Sequence, residues 1–237
     1  MGFFYRDEKS DPYLKHVKDL SARWPHLRLL ADFMEVSTTP VRWTQFKEKK
    51  RTDEERQERA KRTNVTRLDY FDSDRVVSNI CKTPDDLRKA LKEDDDECHL
   101  RLYVVEDLSR AVIELLGAHL DIEPAFFREQ IVDYAWYNTR DRWVDPPNLS
   151  VITRQQRWLQ LRFVTARYFK TSDSFEKGCK EAELFNVLRR PDDDLNNKAV
   201  MDDKNAIVGL TRTRASFWLK SADKSQKKGA IGKCDSI

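Results

Sequence analysis

The sequence has no long apolar run, few cysteines and few histidines, and each shortage narrows what the chain can be. No stretch approaches the roughly 18 apolar residues that a membrane-crossing helix needs. Met1-Gly2-Phe3-Phe4-Tyr5-Arg6-Asp7 runs into charge instead of the apolar core of a signal peptide. The expectation is a soluble, cytoplasmic chain, tied to a membrane only if a longer product exists. Cys81, Cys98, Cys179 and Cys234 lack the close spacing of a zinc knuckle and the density of a disulfide scaffold, so free thiols are expected. Cys98-His99 has no second Cys/His pair to complete a metal site. The 4 histidines occupy no recognisable acid/base setting, and the sequence has no Gly-rich phosphate loop, HExxH, GxSxG or internal repeat. A non-enzymatic role is the expectation, with an active site assembled from distant residues as the alternative.

What is present is enough for a substantial core. The chain has 237 residues, 39% hydrophobic and 36% charged, which places it on the polar side of globular proteins and predicts some solvated segments. The net charge of +3 names no partner, but its distribution is uneven. Lys and Arg dominate from Arg42 to Arg67, and Asp and Glu from Pro84 to Asp145. A basic arm of this kind serves nucleic-acid binding or lies on an acidic surface of its own fold or of a neighbour. Thr44 to Asn64 carries almost no apolar residue after Phe46 and no aromatic interleaving for base stacking. It reads as a solvated segment or exposed helix, and nucleic acid is not the favoured partner.

The periodic pattern is richest from His99 to Phe169. Leu100 to Val105 predicts a strand, Ser109 caps a helix whose stripe is Val112, Ile113, Leu115, Leu116 and Leu120, and Pro124 opens a second helix. Trp158 to Phe169 predicts another strand, with Leu161 and Phe163 alternating with Arg162. Elsewhere, helices are expected from Asp11 to Arg23, Thr83 onward and Ser172 to Arg190, while His26 to Val36 fits helix slightly better than strand. Strands are expected from Arg75 to Cys81, Leu149 to Thr153 and within Ala206 to Lys220. The expected fold is α/β (α+β), a mixed sheet flanked by helices. Residues 1–74 form a helical, charged and partly mobile N-terminal region, 75–220 the α/β domain, and 221–237 a disordered tail.

Few residues carry chemistry. Glu129 and Asp133 stand four apart on one helix face and are the candidate metal ligands. Glu93 to Glu97 is an acidic run without the alternation and glycine of a calcium loop, so it reads as a solvated loop. Tyr134, Trp136, Tyr137, Arg140, Arg142 and Trp143 mix aromatics with arginine, which suits a binding surface or the cover of a domain edge.

Four blocks, RLYVVEDLSRAVIELLGAHLDIEPAFFREQI, DYAWYNTRDRW, QLRFVTARYF and the closing RASFWLK, resemble the soluble N-terminal cytosolic domain of fungal CorA-like magnesium transporter proteins. The resemblance covers a little over half of the chain. It implies a cytosolic domain with a mixed sheet flanked by helices, a homo-oligomer, a membrane-protein context and Mg²⁺ as the regulating cation. The Gly-Met-Asn pore motif of that family is missing from this sequence, as are membrane helices. The expected role is therefore regulation or assembly, with no transport by this chain alone.

Overall fold

The computed structural model describes residues 11–36, 53–71, 75–93, 95, 97–131, 156–182, 185–187, 203–220 and 229–234. The N-terminal helix α1, Pro12–Arg23, opens with proline in its first turn and buries Tyr13, Leu14 and Val17. A 3₁₀ turn at Pro25–Leu27 reverses the chain into α2, Arg28–Val36, which buries Leu30, Ala31, Phe33 and Met34. Helix α3 is Asp53–Lys61, and strands β1, Val65–Tyr70, and β2, Val76–Cys81, follow it.

Helix α4, Pro84–Lys92, begins at the predicted residue. The Thr83 hydroxyl accepts from the Asp86 N–H at 3.2 Å, and the Asp86 carboxylate accepts from the Thr83 N–H at 3.0 Å. After β3, Leu100–Val105, comes α5, Arg110–Leu120, where Ser109 Oγ accepts from the Val112 N–H. That helix ends at Asp121, in the left-handed region with φ 54°. Helix α6, Pro124–Ile131, strand β4, Trp158–Phe169, helix α7, Ser172–Ala182, and strands β5, Ile207–Lys220, and β6, Gly229–Cys234, complete the elements.

The sheet is mixed, with order β2-β1-β3-β6-β5-β4. Its two halves, β2-β1-β3 and β6-β5-β4, are each antiparallel, and parallel pairing of β3 with β6 joins them. One core lies between the sheet and helices α1, α2, α4, α5 and α6, centred on Val17, Phe33, Leu87, Ile113, Phe127 and Trp218. The helices fit closely. A Cβ on Gly117 of α5 would lie 2.6 Å from the Tyr13 ring, so glycine is what lets α1 rest on α5. The mixed α/β class expected from the sequence is what the structure has.

Several boundaries differ from those expected. Order begins well before Arg75, because Val65–Tyr70 is a strand and α3 buries Arg59 and Ala60. Residues on both sides of position 74 therefore share one core. Gly229–Cys234, expected in a disordered tail, forms β6; main-chain ladders supply its pairing, and these need no apolar run. The helix expected to reach Arg190 is described only to Ala182, and residues 185–187 bend. The Asp107 carboxylate accepts from the N–H groups of Asn186 at 3.0 Å and Val187 at 3.2 Å, donors that a continuing helix would commit to its preceding turn. The expected strand at Leu149 to Thr153 and the aromatic stretch Tyr134 to Trp143 lie outside the described residues.

Candidate interaction surface

A half-covered antiparallel sheet ordinarily turns apolar residues to the core and charged ones to water. Here the alternation is inverted over much of the sheet. On β1 the helix-covered side carries Val65, Arg67 and Asp69, all buried, and the opposite side Thr66, Leu68 and Tyr70. On β4 Trp158 and Gln160 lie on the covered side, with Arg162 further along the same side and exposed, and the opposite side carries Leu159, Leu161 and Phe163. Residues paired in register share a side, which extends both faces across all six strands.

The charges beneath the helices are consumed by holding the layers together. Asp69 bridges two guanidiniums, with Arg67 Nε at 3.1 Å and Arg101 Nε at 2.8 Å. Arg67 also donates to the Ala90 carbonyl at 2.8 Å and pairs with Glu93, and Arg101 donates to the Glu93 carbonyl, so two cations meet the carbonyl end of α4. Across the core, Glu114 accepts from the N–H groups of Tyr13 at 2.7 Å and Leu14 at 2.9 Å and so caps α1. Burial lifts its carboxyl above the ordinary value, against the pull of those two bonds. Burial likewise pushes up the Tyr13 phenol, whose hydroxyl donates to the Ile122 carbonyl at 2.6 Å. Below α6, Ser216 bonds Gln130 and Gln160, and Trp218 Nε1 donates to Glu123.

The opposite face carries no charged side chain from one edge of the described sheet to Phe163 of β4. One row runs Ile80, Thr66, Val104, the Gly232 position, Phe217 and Leu159. The next runs Ser78, Leu68, Leu102, the Ala230 position and Leu219, with Leu161 and Ala215 flanking on the other side. Ile80, Leu159, Leu161, Phe163, Phe217 and Leu219 are exposed; Leu161 is 53% accessible. The first charged residue on this side of β4 is Arg167, near the end where Phe175 of α7 meets Phe169. Such a surface suits the burial of apolar area against another apolar surface.

The residues singled out in the sequence fall elsewhere. Glu129 sits on α6, where its carboxylate meets Arg128 at 3.0 Å and Arg162 at 3.4 Å. Two guanidiniums thus occupy the oxygens that a cation would use. Asp133 lies outside the described residues. Among the described residues, no group of three or more His, Cys, Asp or Glu could hold a metal ion. The basic segment is partly built into the fold: Arg59 donates to the Phe185 carbonyl, and Arg67 is buried under α4. Cys98 is buried, its thiol 3.5 Å from the Leu100 carbonyl. Among the described residues, no helix is long and apolar enough to cross a membrane.

Sequence reading located β4 and its alternation but missed β1 and the outward apolar face. The signal for β1 was VTRLDY, a period-2 pattern masked by the charged run before it. No family model, curated protein or solved structure matches the chain.

Proposed function

We propose that the chain is a non-catalytic assembly domain whose working surface is the face of its sheet opposite helices α1, α2, α4, α5 and α6. The observation that carries this reading is the inversion: ion pairs lie under the helices while Ile80, Leu161 and Phe217 face outward. Leaving large apolar side chains in water forfeits about 1.5–3 kcal/mol each relative to burying them. A protein surface laid on this face recovers that energy. The resemblance to CorA-like cytosolic domains gives the reading its context, that of a cytoplasmic regulatory or assembly unit belonging to a magnesium-transport system, with conduction left to other segments.

A photoreactive amino acid in place of Leu161 tests the surface, and one in place of Leu210 is the control. Both leucines are exposed, but they occupy opposite sides of the sheet. Position 161 is expected to cross-link to protein in intact cells and position 210 is not. Absence of cross-links from 161 overturns the reading. For the magnesium context, addition of millimolar Mg²⁺ is expected to shift the size or melting temperature of the purified chain. Indifference in both removes that part.

A further inference from the structure

Taking the apolar face as the working surface, we infer that its occupant is a second copy of this chain, packed sheet on sheet about a two-fold axis. Three observations select this partner. The first is charge: with no Lys, Arg, Asp or Glu across the face to Phe163, nothing on it would orient a polynucleotide, an anionic membrane surface or a charged peptide. The same neutrality lets the face meet itself without like-charge repulsion, as an isologous interface requires.

Shape is the second. Neighbouring strands lie about 4.8 Å apart and same-side residues about 6.8 Å apart along a strand. Six strands with three outward residues each therefore present roughly 29 Å by 20 Å, on the order of 600 Å². A single helix, about 10 Å across, would leave most of that width in water. Another sheet, stacked at about 10 Å, covers all of it.

Area is the third. Two such faces together bury about 1,200 Å², the lower bound for a stable interface, and the buried surface is apolar in the manner of homodimers. The aromatic anchor is Phe217, one strand in from the β4 edge, between the Gly232 position and Leu159. A small residue beside it, Ala215, leaves room for a large side chain from the opposing sheet.

Sedimentation of the purified full chain over a range of concentrations tests the inference. The chain is expected to sediment with twice the mass of one chain at high concentration. Leu161→Glu and Ile80→Glu are expected to weaken dimerisation by about 100-fold or more, because each buries an unpaired carboxylate. Their circular dichroism should match that of the unaltered chain, since both side chains are exposed. Leu210→Glu, equally exposed on the other side, should leave the dimer intact. A dimer that survives both face variants overturns the inference. So does a monomer at every concentration: if position 161 still cross-links to a different protein, the assembly reading survives with another partner. A monomer without such cross-links ends both. Flotation of the monomer with phosphatidylcholine vesicles would assign the face to lipid and also overturn it.

Discussion

Trp218 and Phe217 are neighbours on β5 and point to opposite sides of the sheet, one 1% and the other 39% accessible. Around Trp218 the sheet is clad in helices, and Arg67, Asp69, Arg101 and Arg214 beneath them each have a counter-charge or a carbonyl. On Phe217's side, as far as Phe163, the strands are simpler, and their described residues are small, β-branched and large apolar side chains without charge. The difference teaches that burial in this molecule follows where the helices lie and not where the greasier half of each strand lies. Charged residues went inside because their geometry could be satisfied there; apolar residues stayed outside, where the proposed partner surface would meet them.

Trp218→Ala should produce the largest effect, a loss of about 3–5 kcal/mol in urea unfolding, because it empties a fully packed site. Phe217→Ala, one residue away, should cost less than about 1 kcal/mol when measured at dilution. Similar losses for both would erase the contrast between the faces.

Next in size is Gly117→Ala. Helix propensity favours alanine by about 1 kcal/mol, but the new methyl would lie 2.6 Å from the Tyr13 ring, which is pinned by its bond to Ile122. Overpacking of this kind costs about 1–3 kcal/mol, so the net change should be destabilising. A stabilised variant would mean that α1 rests on α5 less closely than described. Thr83→Ala, which removes the cap of α4, should cost about 1 kcal/mol in the same assay.

A smaller effect on the covered side depends on pH. Burial raises the Glu114 carboxyl above its ordinary 4.5, so the folded chain holds that proton more tightly than the unfolded chain does. Its contribution to stability should fall as pH climbs from 4.5 through the raised value and level off above it. Glu114→Gln should flatten that part of the profile. An unchanged slope would assign the pH dependence to other groups. On the uncovered side, Leu161→Glu should change monomer stability least of all, within about 0.5 kcal/mol.

Much of the architecture was legible in residues alone. Thr83-Pro84-Asp85-Asp86 and Ser109 announced their helices, since a cap needs only local spacing, and Trp158 to Phe169 announced its strand by alternation. What could not be read was which side of that alternation faces inward. Period 2 divides Leu161 from Arg162 without saying which one the helices will cover, and the usual assumption that arginine faces water is only partly met. Arg67 and Asp69 look solvated in sequence because the partners that neutralise them, Arg101 and Glu93, come from elements further along the chain. The candidate surface was hidden for the same reason: its rows take residues from β2, β1, β3, β5 and β4, and only the pairing order brings them together.

Hydroxyl-radical footprinting of the unaltered chain, at low and high protein concentration, tests the central claim most directly. The account predicts that Leu159, Leu161, Phe163 and Phe217 oxidise readily when dilute and become protected when concentrated. Val208 and Leu210, exposed on the other side of the hairpin, should oxidise equally at both concentrations. Equal oxidation of the two sets at every concentration would contradict it.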